Sequence, residues 1–375
     1  MKVLLVDQFG KTTGRDTLAV AELINKNENI DMEVYLSDNT EIPDNRKYTV
    51  KIVKGFHGAY NGSIINKVIN YLKALHELKS YIIMNRINIV HLQWFSLPWI
   101  EWIYVAQLHK YCKVFITVHD IIPFDNRPAE IKFLDKIYKR ADTLFIHTKS
   151  GKRLFHENYS AKTPVKVITQ GFCMKQDYKR IDNFKAKEYF GIPHDRVVFL
   201  YYGTIRQSKG FDYLISAIHE AYKKNNKVYL LAAGAFHSVN EDEYRNLVIN
   251  KLSKDYSTVN FGFVPQNKEQ WYFSAADVLC LPYLEVTQSG VAQLGLMYEL
   301  PIIATNIAEM PDVARDGING TIIQPGDTKQ LENAILDYAS NDKARKEHSI
   351  ASKVLGETEF SLEVKAQKIA EVYKS

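Results

Sequence analysis

The sequence has few cysteines and no long apolar run. Cys112, Cys173 and Cys280 are odd in number, far apart, and sit in or beside apolar stretches. Neither a disulfide framework nor a metal site is expected from that pattern, and the three read as buried thiols in a reducing compartment. No stretch approaches the ~20 apolar residues that a membrane span requires. The opening run MKVLLVDQFG passes directly into a strand-like segment, too short for a secretory apolar region and without a small-residue cleavage site. A cytoplasmic protein is the expectation. Charge of one sign is also scarce. A formal net charge of +5 is too mild for a dedicated nucleic-acid binder, whose basic residues cluster more densely, so no nucleic-acid partner is expected. Internal repeats and low-complexity segments are absent.

One local excess of charge stands out. Between Lys132 and Arg153 lie Lys136, Lys139, Arg140, Lys149 and Lys152, against Asp135 and Asp142 alone. This is either a solvated helix face or a patch that makes peripheral contact with an anionic membrane, each near-surface cation contributing ~1 kcal/mol. The second reading places the protein at the inner face of the cell membrane.

What is present is a rhythm. At 375 residues the chain is long enough for two domains of ~150 residues each. Short β-branched or aromatic runs alternate with polar turns and helix-length periodic segments. Strands are expected at 2–6, 32–36, 49–53, 89–92, 114–118, 143–147 and 165–168, then at 197–202, 228–232, 259–261, 278–281, 302–305 and 321–323. Several are continuously apolar, as strands buried on both faces of a parallel sheet are. Such alternation predicts doubly wound α/β domains. The polar stretch QDYKRIDN (176–183) marks the boundary, and residues 361–373 carry an amphipathic helical pattern.

Two segments of the second half are suited to anions. The run Val197–Tyr202 leads into Gly203-Thr204-Ile205-Arg206-Gln207-Ser208-Lys209-Gly210. Glycines at both ends permit tight turns. Between them a planar guanidinium and a compact ammonium can together hold a pyrophosphate. An exposed βα loop with incidental charges would look the same locally. The segment is neither GxxxxGK[ST] nor GxGxxG. Further on, Thr287-Gln288-Ser289-Gly290 opens an apolar helix. The free N–H groups there form an anion site, unless Thr287 or Ser289 simply caps the helix.

Together these features resemble retaining glycosyltransferases of the family 4 type. The landmarks are YYGTIRQSKGFDYLI (201–215), VNFGFVPQNKEQWYFSAADVLCLPY (259–283), TQSGVAQ (287–293), ELPIIATNIAEMPDVARDGINGTIIQPGD (299–327), IVHLQW (89–94) and ITVHDIIP (116–123). The resemblance implies the α/β GT-B fold, with two facing Rossmann-like doubly wound domains and a cleft between them. Residues 1–176 would bind the acceptor and 177–360 the nucleotide sugar, with a helix at 361–375 packing back toward the first domain. It further implies that Arg206 and Lys209 neutralise the leaving diphosphate, and that Gly203, Thr287, Gln288, Ser289 and Gly290 hold the diphosphate and sugar. Phe263 and Val264 would meet the nucleobase, and His119 would face the transferred sugar. Many members also carry two glutamates, eight positions apart, after the PY segment. Val286 and Leu294 stand there instead, so TQSG marks a branch that binds with the turn. Glu299 stands where glycine is usual and reads as a surface residue.

The expected reaction is transfer of a sugar from a UDP- or GDP-sugar to an acceptor hydroxyl with retention, in cell-surface glycan or polysaccharide synthesis. No metal and no cofactor are expected, the nucleotide sugar being a substrate. The acceptor, a glycan or a lipid-linked glycan, would meet Gly10 and Trp94 in the first domain. Trp94, Phe95, Trp99, Trp102 and Tyr104 crowd one segment there and can stack on sugars or line a lipid groove. Core packing explains most of them equally well. A sugar-nucleotide epimerase of the same architecture and a non-catalytic nucleotide- or glycan-binding subunit are the competing readings.

Overall fold

The computed structural model describes residues 1–42, 47–122, 128–171, 180–286 and 289–375. The chain divides into two compact units, Met1–Cys173 with Ser361–Ser375, and Met174–Phe360.

The first unit begins β1 (Lys2–Asp7), α1 (Lys11–Asn27), β2 (Asp31–Ser37), β3 (Lys51–Gly55), α2 (Ile64–Met84) and β4 (Ile89–Leu92). It continues α3 (Pro98–Leu108), β5 (Lys113–Val118), α4 (Pro128–Tyr138), β6 (Thr143–Ile146), α5 (Lys149–Asn158) and β7 (Val165–Val167). The strands form one sheet in the order β3-β2-β1-β4-β5-β6-β7, and every pairing in it is parallel.

The second unit runs α6 (Asn183–Tyr189), β8 (Val197–Tyr202), α7 (Phe211–Lys224), β9 (Val228–Gly234), α8 (Glu241–Lys251), β10 (Ser257–Phe261) and α9 (Gln266–Ala275). Then follow β11 (Val278–Leu281), α10 (Gly290–Met297), β12 (Ile302–Thr305), α11 (Met310–Val313), β13 (Gly320–Ile323), α12 (Thr328–Ser340) and α13 (Asp342–Thr358). Its parallel sheet has the order β10-β9-β8-β11-β12-β13. In both sheets the order reverses beside the first strand, the switch point where ligands bind in open α/β sheets.

All thirteen expected strands form. β4, β8, β11 and β12 keep the expected bounds, while β3 begins two residues late at Lys51. The continuous apolar runs are buried throughout, as in β11 (Val278 0%, Leu281 1%), because helices cover both faces of each sheet.

The last helix, α14 (Leu362–Lys374), belongs to the first unit. Leu362, Ala366, Ile369, Ala370 and Tyr373 pack with Leu18, Ala21 and Ile24 of α1 and with one sheet face, while α2 to α5 cover the other. Tyr373 Oη lies 2.6 Å from Nδ1 of His91, whose Nε2 lies 2.8 Å from Thr117 Oγ1. Burial, reinforced by the nearby Lys365 ammonium, pushes His91 and also His147 down to about 3. Both are therefore neutral in the folded protein near pH 7. The unfolded chain binds protons at these histidines below about pH 6.5 and the folded chain does not, so stability falls with acid. Urea unfolding should show a loss of about 1 kcal/mol per histidine between pH 6.5 and 5.5. A pH-independent midpoint there would contradict this account.

Candidate functional site

At the carboxyl end of β8 the chain turns through Gly203, whose N–H donates to Ala233 O at 3.0 Å. A single 3-10 turn, Gln207–Lys209, precedes Gly210, which ends it in the left-handed region at φ 63°. A Cβ at Gly210 would also collide with the Pro282 carbonyl beyond β11. The fit is closed by Ser208, whose carbonyl accepts N–H groups of Leu284 (2.8 Å) and Glu285 (3.2 Å). Thr305 Oγ1 at the end of β12 donates to Tyr283 O at 2.7 Å. Three strand ends are thus tied into one surface, which brings Arg206 and Lys209 to the start of α10.

Lys209 is half-buried, with Nζ 3.6 Å from the centroid of the Tyr283 ring, a favourable cation–π placement. Burial and the Arg206 charge push Lys209 down to about 8, although Glu309 opposes the shift. Arg206 is half-buried, and among the described residues its Nε has no hydrogen-bond partner. A buried donor left this way costs about 1–3 kcal/mol, and a hydrogen-bond acceptor placed beside it would remove that cost.

Ser289 is 4% exposed and caps α10: its Oγ accepts the Ala292 N–H at 3.3 Å and lies 3.3 Å from Tyr283 Oη. Its own N–H donates to Glu309 Oε1. The helix start therefore already has an anionic partner inside the protein. Gly290 is the first residue of α10 and is exposed. Thr287 and Gln288 lie outside the described residues. Leu294, at the second vacant glutamate position, is 7% exposed and belongs to the core. Phe263 and Val264 follow β10, Phe263 being 86% exposed. Glu299 is more than a surface residue: it holds a left-handed φ of 58° and pairs with Arg180 and, at 3.2 Å, with Lys353.

In the first unit His119 follows β5. Its ring stacks on Trp94 at 4.0 Å and 10°. Nε2 lies 3.1 Å from Gln93 Oε1, and Nδ1 lies 3.2 Å from His147 Nε2. His147 Nδ1 lies 3.1 Å from Ile168 O. That carbonyl can only accept, so His147 carries its proton on Nδ1 and accepts at Nε2. His119 then donates from Nδ1 and presents a lone pair at Nε2, matched if Gln93 turns its NH₂ toward the ring. Burial and the neighbouring His147 keep His119 well below its ordinary range, hence neutral.

His119, Trp94 and Phe95 line a pocket of about 290 Å³ with Phe9, Asp120, Glu130 and Tyr138. Trp99 and Trp102 do not line it; Trp102 lies under Lys136 and Arg140 instead. Gly10 sits at φ 67° before α1, its N–H donating to Asp7 Oδ1 at 3.0 Å. Among the described residues, no group of three or more His, Cys, Asp or Glu is placed to hold a metal ion.

Sequence reasoning had no role for Glu309, Tyr283, Gln93 or His147. Glu309 and Tyr283 lay within the quoted motifs, yet their importance comes from contacts made across strands.

Two parallel-sheet units of this order define a GT-B protein. Sucrose-phosphate synthase from Thermosynechococcus elongatus superposes with a TM-score of 0.75 at 16% identity, covering 100% of this chain and 98% of that one. Anabaena HepE in complex with UDP gives 0.75 at 15% identity, covering 100% of both. The family described as "Glycosyl transferase 4-like" matches residues 17–148, and "Glycosyl transferases group 1" matches residues 196–341. The chain thus belongs to the glycosyltransferases of this GT4 type. Among curated proteins, an uncharacterized 41.2 kDa protein in the cps region of Klebsiella pneumoniae is 24% identical over 46% of this chain and 44% of its own length. The capsular polysaccharide biosynthesis glycosyltransferase CapM of Staphylococcus aureus is 22% identical over 62% of this chain and 61% of its own. The chain thus spans about half the length of these relatives.

Replacing Gly210 by Ala should destabilise the protein by more than about 1 kcal/mol, because both φ and the Pro282 contact oppose a Cβ. Chemical denaturation of the variant, compared with wild type, checks this.

Proposed function

We propose that the protein moves a sugar from a UDP- or GDP-sugar to an acceptor hydroxyl with retention of configuration, without a metal, in cell-surface polysaccharide assembly. The observation that carries this is the pair Arg206 and Lys209, half-buried at the second unit's switch point, with a guanidinium N–H that has no partner among the described residues. As the glycosidic bond breaks, the leaving diphosphate gathers negative charge, and preorganised cations stabilise it in a site of low dielectric. Retention follows when the acceptor attacks the face the diphosphate leaves, its proton passing to the departing phosphate. The exposed Phe263 offers an aromatic face to the base, with Val264 beside it. His119 faces the transferred sugar, and the pocket beside Trp94 receives the acceptor. Support also comes from HepE, solved with UDP-glucose, and from the name of CapM.

The Arg206→Ala variant should bind acceptor as before and lose ~10²-fold or more in turnover. Product formation from labelled UDP- and GDP-sugars measures this, and NMR of the product reads the anomeric configuration. Unchanged turnover in the variant would sink the assignment.

Membrane contact is the second part of the proposal. Part of the basic run is spent locally, with Lys139 paired to Asp135 at 2.6 Å. On α2, however, Ile64 (80%) and Ile65 (72%) are exposed near the exposed Lys67 and Lys73, which suits an anionic lipid surface. No helix among the described residues is long and apolar enough to cross a membrane. Flotation with phosphatidylserine-containing vesicles should show binding that is lost in high salt and in an Ile64→Ser, Ile65→Ser double variant. Salt-insensitive recovery in the unbound fraction would count against it.

A further inference from the structure

Glu309 is a buried carboxylate inside a site built for anions, and the transfer chemistry gives it no task. It lies between β12 and α11, is 3% exposed, and accepts the Ser289 N–H at the start of α10. The groups that face it come from four elements. Lys209, from the loop after β8, attracts its charge, and Asp312 of α11 repels it. Tyr283, beyond β11, feels both Glu309 and Arg206. Ser289 of α10 supplies the N–H. An incoming diphosphate brings more negative charge toward the same amide and the same Lys209 ammonium. Two anions placed so closely in a desolvated site cannot both stay ionised without a large cost. Leaving the site is also costly, because Glu309 would give up a backbone hydrogen bond and its packing.

We propose that Glu309 is a proton-linked positioning residue of the donor site. As a carboxylate it holds the start of α10 while the site is empty. When a nucleoside diphosphate binds, it takes up one proton from solvent and becomes a hydrogen-bond donor to a phosphate oxygen. The inference rests on the reading that this site binds such a diphosphate. Burial holds Glu309 at about 7 in the empty site, so the uptake falls in the neutral range. Lys209, at about 8, adds uptake of the same sign at higher pH.

The test is calorimetric titration of the full chain with UDP, and with GDP, in two buffers of different ionisation enthalpy. Wild type should take up more than about half a proton per nucleotide at pH 7.5. Glu309→Gln keeps an acceptor for the Ser289 N–H but has no charge to neutralise. It should bind about tenfold more tightly than wild type at pH 8 and equally at pH 6. Equal proton uptake in the two proteins, or one affinity ratio at both pH values, would overturn the proposal. The pH-independent ratio is what a purely structural role produces. Should the variant fail to fold, the proton count of wild type alone decides, and no uptake at pH 7.5 overturns it. Failure of folded wild type to bind either nucleotide removes the donor-site reading itself.

Discussion

The carbonyl of Ser208 accepts two N–H groups from the loop that follows β11, and the second unit's candidate site depends on that join. Without it the cationic loop after β8 and the start of α10 would be two separate surface turns. With it, Arg206, Lys209, Tyr283 and Ser289 share one small volume. Gly210 makes the join possible, since its missing side chain lets the loop press on the Pro282 carbonyl. The join also explains the electrostatics. Packing the loops together half-buries Lys209, and burial leaves its ammonium easier to discharge than an ordinary lysine.

The two units treat charge in opposite ways. The second gathers cations and a carboxylate around an amide, an arrangement that waits for an anion. The first gathers three histidines and strips them of charge: His91, His119 and His147 are neutral through burial. There the proton positions, set from the Ile168 carbonyl outward, carry the information. A pocket walled by Phe9, Trp94 and Phe95, with Asp120 and Glu130 at hand, suits a neutral hydroxyl-bearing group better than a phosphate.

Much of this was legible in the sequence, for a physical reason. Strands buried on both faces leave unbroken apolar runs, so β8 and β11 could be bounded to the residue. β3 could not, because an edge strand that reads KIVKG is half-exposed and weakly patterned. Arg206 and Lys209 were legible because loop, glycines and charges are contiguous. Glu309 was not. It reaches Ser289 across twenty positions, and nothing local separates it from a surface glutamate. The partners of His119 were hidden in the same way, since Gln93 and His147 come from the ends of different strands. Glu299 read as a surface residue because its left-handed backbone and two ion pairs exist only after folding.

Tyr373, almost at the end of the numbering, completes the hydrogen bonding of His91 in the middle of the first sheet. The first unit is therefore discontinuous in the chain, and the order of synthesis is not its order of completion. A ribosome would release all of Met174–Phe360 before the first unit could cover the sheet face that α14 occupies. Until then the part of that face around His91 and Phe145 lacks the Tyr373 ring that packs on it, although α1 already covers its share. The nascent first unit is thus the part most exposed to misassembly, and a cut at the unit boundary would strip Leu362, Ala366, Ile369, Ala370 and Tyr373 from one face of its core.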